Sequence, residues 1–220
     1  MSRIVVVGAG GRTGSLIVKA LIARKDEVVA TIRTPAQMAD LVRAGAHTVM
    51  LDLERSAFDD WVLAMKGADD VVFAAGSAAG ESSALDRRGT LRTIRAAEKA
   101  GILRYLTISS IGASTGMKLS GKWATDEMVD YYKQKRAANK LLRASSLKWT
   151  IIEPGELTDG RGTGKVTLSQ EALAERKVPR ADVSAVVAAA VRDAKTIGKA
   201  FQLTSGPTPI AEALKQAVRK

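Results

Sequence analysis

The sequence predicts an α/β fold, a doubly wound parallel sheet flanked by helices in a single domain, and three observations lead there. Short β-branched runs alternate with helical stretches along the whole chain. Aromatic residues make up only 4%, so Val, Ile, Leu and Ala must build the core, as in a parallel sheet buried on both faces. A glycine-rich turn joins the first apolar run to the first helical stretch. The 220 residues suit one core, because single cores rarely grow past roughly 250 to 300 residues. No repeat and no Pro/Ser-rich linker divides them.

The elements follow in order. Ile4–Val7 is a buried strand, and Gly8–Gly14 turns into a helix near Ser15–Arg24. Val28–Arg33 is the second strand. Thr34 caps a helix whose first position is Pro35 and whose exit is Ala44-Gly45, where glycine permits a left-handed turn. His47–Leu51 is the third strand, followed by a short helix over Phe58–Lys66. Asp70–Ala75 is the fourth strand and Leu85–Ala100 a long helix stopped by Gly101. Arg104–Ser109 is the fifth strand, followed by an irregular excursion, Ile111–Thr125, and a helix over Asp126–Ala144. Trp149–Ile152 is the sixth strand, broken at Pro154-Gly155. Strand Lys165–Leu168, helix Ala181–Asp193, strand Ala200–Thr204 and a terminal helix from about Pro209 complete the chain.

Composition narrows the function classes. There is no cysteine and one histidine, His47, so disulfides and a Cys/His zinc site are excluded; no metal is expected. The apolar run Ile4–Val7 is too short for a secretory signal, and no stretch approaches the ~20 apolar residues of a membrane span, so a cytoplasmic protein without a membrane partner is expected. The formal charge of +11 could attract nucleic acid. The basic residues are nevertheless scattered over helical polar positions such as Arg87, Arg88, Arg92, Arg95 and Lys99, with little aromatic interleaving, so no nucleic-acid partner is expected. An anionic cofactor and solvated helix faces account for the charge.

The turn Gly8-Ala9-Gly10-Gly11-Arg12-Thr13-Gly14 carries the first chemical signal. It follows a strand and opens a helix, with spacing G-x-x-G-x-x-G on Gly8, Gly11 and Gly14. Gly8 allows the sharp turn, Gly11 lets backbone approach a diphosphate, and Gly14 lets the helix pack closely on the strand. Exposed N–H groups and the helix dipole then favour an anion. The fold is thereby of Rossmann type, with a dinucleotide as ligand. The end of the second strand selects between dinucleotides. An NAD site usually places Asp or Glu there for the ribose 2′-hydroxyl, whereas this chain has Ala30-Thr31-Ile32-Arg33-Thr34. The Arg33 guanidinium can hold a 2′-phosphate in a bidentate contact, with Arg12 as a second cation. NADP(H) is favoured, and NAD(H) remains possible.

Beyond this turn, several segments resemble the short-chain dehydrogenase/reductase superfamily, in its atypical NAD(P)H-binding branch of NmrA-like and biliverdin/flavin-reductase-like proteins. They are Leu51-Asp52-Leu53, Val71–Gly76, Leu85-Asp86-Arg87-Arg88-Gly89, Ala96–Gly101, Tyr105–Gly112 and Trp149–Gly155. The resemblance implies that Asp52 and Leu53 lie against the adenine and that Ala74, Ala75, Gly76 and Ser77 run beneath the cofactor. It also implies that Thr107–Ser110, including Ser109, approach the nicotinamide ribose, and that Pro154, Gly155 and Leu157 pass the nicotinamide. These are carboxyl ends of strands, where open α/β sheets place ligands.

Tyr131-Tyr132-Lys133-Gln134-Lys135 contains Y-x-x-x-K from Tyr131 to Lys135. Residues four apart on a helix face one side. Lys135 can hold the cofactor ribose and favour a tyrosinate electrostatically, Tyr131 can give a proton to a substrate oxygen, and Ser110 can orient that oxygen. Against this stand the bland reading, a packed tyrosine and a solvated lysine, and two departures from the superfamily. Ser110 and Tyr131 are 21 residues apart, longer than in single-domain carbonyl reductases of the superfamily. Glu153 stands where relatives carry arginine before Pro-Gly, and would alter the charge near the nicotinamide or pair with a base.

Asp59/Asp60 and Asp69/Asp70 read as solvated acids, and no nucleophile elbow is present. Asp182 reads as a first-turn acid of its helix. Residues from about 155 to 220 form a small substrate-side region, which disfavours sugar nucleotides. The excursion Ile111–Thr125, with Met117 and Trp123, is either a substrate-facing flap or a surface loop. The reading is an NADPH-dependent reductase of a small carbonyl, quinone or flavin-like acceptor, acting as a monomer or weak homodimer. The alternative is a non-enzymatic NADP(H) sensor.

Overall fold

Strands form where the β-branched runs lie, and alternation along them settles which helix each side chain meets. The computed structural model describes residues 1–76, 84–116, 120–121, 124–174 and 177–219. Met117, Trp123 and Ser77, singled out above, lie outside these residues. The first six strands are β1 (Arg3–Val7), β2 (Glu27–Ile32), β3 (His47–Met50), β4 (Asp70–Phe73), β5 (Arg104–Ile108) and β6 (Lys148–Pro154). Five more follow: β7 (Glu156–Thr158), β8 (Lys165–Ser169), β9 (Lys177–Pro179), β10 (Lys199–Ser205) and β11 (Thr208–Pro209). The α-helices among the described residues are α1 (Arg12–Ala23), α2 (Met38–Arg43), α3 (Phe58–Met65), α4 (Ala84–Lys99), α5 (Asp126–Arg143), α6 (Arg180–Ala190) and α7 (Ile210–Ala217).

Nine strands form one sheet in the order β11-β8-β10-β6-β5-β4-β1-β2-β3. Every pairing from β3 to β10 is parallel, while at the far edge β8 runs antiparallel to β10, and β11 antiparallel to β8. The chain therefore leaves β1 first towards β2 and later towards β4, which makes the carboxyl ends of β1 and β4 the topological switch point. Both faces are buried. Ile4, Val6, Val28, Ala30, Val72 and Ile152 meet Ile17 and Leu21 of α1, Val183 and Val187 of α6 and Leu214 of α7. Val5, Val7, Val29, Val71 and Ile151 meet Trp61 of α3, Ile94 and Ala97 of α4 and Leu142 of α5. This two-sided burial is why the strands read as continuous apolar runs.

The expected strands and helices are present with ends shifted by a few residues, and three features differ. The helix expected from Pro35 opens as a 3-10 turn, Pro35–Gln37, before α2. β6 continues through Pro154, which as a last residue is spared a donor role in the ladder. The short strands β7, β9 and β11 were not anticipated, since two or three residues are too few to show alternation. β7 and β9 pair in parallel beside the main sheet. No helix among the described residues is long and apolar enough to cross a membrane.

Candidate dinucleotide site

A cavity of about 420 Å³ opens at the switch point. Gly8, Gly10, Gly11, Arg12 and Thr13 line it from the first turn, and Ala74, Ala75 and Gly76 from the end of β4. Arg33, Asp52 and Leu53 line one end, while Ser109, Tyr131, Lys135 and Leu157 also contribute to its wall. Gly14, Ser110, Pro154 and Gly155 do not line it.

The turn is held by its neighbours. Gly8 N–H donates to Thr31 Oγ1 at 3.2 Å, Ala9 N–H to the Thr31 carbonyl, and Gly11 N–H to the Gly8 carbonyl. Gly8 has φ +79°, and a Cβ there would lie 2.7 Å from the Ala75 backbone. A Cβ on Gly14 would lie 2.2 Å from the Gly8 oxygen, so both glycines are required by backbone contact. Gly11 differs: a Cβ would meet only the Gly8 oxygen, at 3.4 Å. Gly10 lies against Gln37, whose Oε1 accepts from the N–H groups of Arg33 and Thr34. The α1 N-terminus has neither a side-chain cap nor a first-turn acid, in contrast to α5 with its Thr125 cap and Asp126 and Glu127. An uncapped helix start without a carboxylate is what an external anion requires.

At the Arg33 end, Asp52 Oδ1 accepts from the N–H groups of Glu54 and Arg55. Burial works to raise its pKa, but these bonds and the charges of Arg55 and Arg33 hold it below the usual carboxylate value. The close packing of Leu53 on Gly89 sets α4 against the cavity. Arg12, expected to be a second cation for the cofactor, pairs with Asp159 at 2.9 Å, and Asp159 pairs in turn with Arg180 at 2.7 Å. Arg180 also donates to the Leu157 carbonyl, fastening β7 to the start of α6.

At the other end, Lys135 lies 2.9 Å from Asp86, both nearly fully buried, with its ammonium 5.6 Å from the Tyr131 ring centroid. Burial would lower the Lys135 pKa, but Tyr131, the Asp86 charge and the Asp86 hydrogen bond raise it above the ordinary value. Ser109 is buried, and its Oγ has no hydrogen-bond partner among the described residues. The Ser110 hydroxyl donates to Tyr132 Oη at 3.3 Å, so the serine expected beside Tyr131 is engaged by the neighbouring tyrosine. The backbone of Pro154 and Gly155 is spent within the fold, the Pro154 carbonyl accepting from Ile111 and the Gly155 N–H donating to Leu203.

Glu153 sits beneath this region without lining the cavity. Its Oε1 accepts from the Ser114 N–H at 2.8 Å and from Asn139 Nδ2 at 2.9 Å. Burial raises its pKa against the bonds from Ser114 and Asn139 and the charge of Arg143. Asp182 lies in the first turn of α6 as expected, and its carboxylate also binds Thr163 and the Gly164 N–H.

The sequence reading does not single out Thr31, Gln37, Glu54, Trp61 or Arg180 of the cavity wall, nor Asp86 behind Lys135. Gln37 had a local signal, since Thr34-x-x-Gln37 fits a capping box. Asp86 and Arg180 lay inside recognised segments, but their partners come from other parts of the chain.

A profile of the NAD(P)H-binding family matches residues 8–194. Bacillus subtilis YhfK, named as an uncharacterized sugar epimerase, is 36% identical over 221 residues, covering 97% of this chain and 99% of its own. A solved structure from Bacillus halodurans, provisionally named an NAD-dependent epimerase/dehydratase, superposes with a TM-score of 0.88 at 36% identity, over 98% of this chain and 100% of its own. ChuY, an anaerobillin reductase from Escherichia coli O157:H7, gives 0.82 at 25% identity, over 94% of this chain and 100% of its own. With a glycine turn at the switch point and likeness along nearly its full length, the chain belongs to the NAD(P)H-binding family.

Proposed function

We propose that the chain is an NADPH-dependent reductase of a small carbonyl, quinone or flavin-like acceptor. The observation that carries this reading is that Tyr131 and Lys135 share one cavity with the glycine turn. The residues suit a dinucleotide, because an uncapped helix start adjoins the cavity at Gly11, where a Cβ would meet only the Gly8 oxygen.

In this reading the N–H groups of Arg12 and Thr13, at the helix start that Gly11 opens, hold the diphosphate, with the Arg12 side chain beside it. Ala74, Ala75 and Gly76 form the floor, and Asp52 and Leu53 border the adenine. Arg33 takes the 2′-phosphate. Lys135 and the unpartnered Ser109 hydroxyl hold the ribose at the nicotinamide end, which Leu157 bounds, with Pro154 and Gly155 behind it. The nicotinamide, when bound, supplies a hydride. Tyr131 gives a proton to the acceptor oxygen, and Ser110 orients that oxygen after leaving Tyr132.

Fluorescence titration with NADPH and NADH, followed by NADPH oxidation assays with quinones, flavins and aldehydes, tests the proposal. NADPH is expected to bind at least about tenfold tighter than NADH, and Arg33→Ala to erase the difference, as expected of a charge-assisted contact. Equal or tighter NADH binding overturns the cofactor choice. Turnover unchanged in Tyr131→Phe removes the acid role and leaves direct hydride transfer. Tight NADPH binding without turnover supports the second reading, a redox sensor, which the engagement of Ser110 by Tyr132 favours.

A further inference from the structure

We propose that Asp86 is a positioning residue that keeps Lys135 charged and fixed at the ribose end of the cavity; this rests on the reductase reading. Asp86 is in the first turn of α4, Lys135 in the middle of α5, and their charged atoms lie 2.9 Å apart with 1% and 8% of their side chains exposed. Lys135 lines the cavity and Asp86 does not, so Asp86 can act on a ligand there only through the lysine.

The end of β4 completes the clamp. A Cβ on Gly76 would lie 3.5 Å from Asp86 Oδ1 and 3.8 Å from Lys135 Nζ, so the pair rests on the backbone that floors the cavity. Among the described residues, the groups facing the ammonium are Asp86 from α4, Tyr131 from α5, and the uncharged Gly76 backbone just after β4. A lysine buried without a partner tends to lose its proton. The Asp86 carboxylate opposes that loss and also fixes where Nζ points. An amine that stays protonated into alkaline solution gives the cofactor ribose a constant donor, and gives Tyr131 a constant neighbouring charge.

The test is a double-mutant cycle on Asp86→Asn and Lys135→Met, read by melting temperature and by the Kd for NADPH between pH 6 and pH 9. Each single variant should melt lower. The double variant should recover most of that loss, because an apolar side chain no longer leaves a charge buried alone. NADPH affinity should not recover with it. Asp86→Asn should bind NADPH nearly as well as wild type at pH 6 and about tenfold weaker at pH 9, as Lys135 loses its proton. Wild-type affinity should show no such alkaline loss, and a merely structural Asp86 would give the same deficit at every pH. Additive losses of stability, or an Asp86→Asn Kd equal to wild type across the range, overturn this inference alone. A wild-type chain with no affinity for either dinucleotide overturns the functional reading and this one with it.

Discussion

Replacing Gly14 by alanine puts one methyl group between α1 and the turn that precedes it. The new Cβ would lie 2.2 Å from the Gly8 carbonyl oxygen and 3.0 Å from Ala9 Cα. Both obstacles are backbone, so the helix must retreat by roughly 1 Å to restore van der Waals separation. Overpacking of this kind costs about 1 to 3 kcal/mol or more, and the better helix propensity of alanine offsets up to about 1 kcal/mol of it. A net loss of about 2 kcal/mol lowers Tm by about 4 to 8 °C in a chain of this length. The retreat also carries the first-turn N–H groups away from the diphosphate position. Thermal denaturation followed by circular dichroism, with and without NADPH, reads both effects. Saturating NADPH at a hundredfold excess over Kd stabilises by about 2.7 kcal/mol, and that rise should shrink in the variant. A Gly14→Ala chain with wild-type Tm and an undiminished NADPH shift would refute the packing argument.

Three further outcomes follow from the same geometry. Gly11→Ala should leave Tm unchanged or slightly raised, since its φ of −77° and ψ of 163° suit alanine, while NADPH binding weakens by about tenfold or more because the methyl enters the cavity; calorimetric titration beside a melting curve separates the two. Asp70 has its pKa raised from 3.8 to about 6, mainly by burial, which Arg104 opposes, so its contribution is fully present below pH 3.8 and lost as pH rises through about 6. That gap corresponds to about 3 kcal/mol, and Asp70→Asn should be the more stable protein at pH 7 and not at pH 4; urea unfolding that gives a pH-independent difference contradicts this. Glu153→Gln keeps an acceptor for Ser114 and Asn139 and should match or exceed wild-type stability, whereas Glu153→Leu strands the Ser114 N–H and leaves Asn139 Nδ2 only the Ser114 hydroxyl, a loss of about 1 to 3 kcal/mol measurable by thermal denaturation.

What the sequence revealed was what neighbours along the chain decide. The conflicts that make Gly8 and Gly14 obligatory lie with Ala75 and with the turn's own backbone, and the strand-turn-helix context announced them. Continuous apolar runs announced strands buried on both faces, because the pattern has only to satisfy two helical layers. Asp86 and Lys135 stand 49 positions apart, on helices whose own periodicity explains neither residue. Only the packing of α4 on α5 at the end of β4 turns two ordinary charged residues into a buried pair. The bridge from Arg12 through Asp159 to Arg180 is likewise a product of three distant segments, and it gives the cation of the turn a carboxylate partner.

Glu153 carries this reasoning to the substrate side. Its place before Pro154-Gly155, where the family resemblance implies an arginine, predicts a charge near the nicotinamide or a pairing with a base. Its carboxylate instead accepts from the Ser114 N–H and Asn139, while Arg143 reaches the Ser114 hydroxyl. An arginine has no acceptor and could not take either of those hydrogen bonds, so the exchange changes what the position can fasten. Here it ties the segment after β5 to β6 and α5 from beneath. Tyr132 on α5 takes the Ser110 hydroxyl four residues earlier. The segment from Ser110 to Ser114 is thus held at both ends by groups outside the cofactor cavity. The glycine turn and the segment after β5 are therefore built on separate anchors.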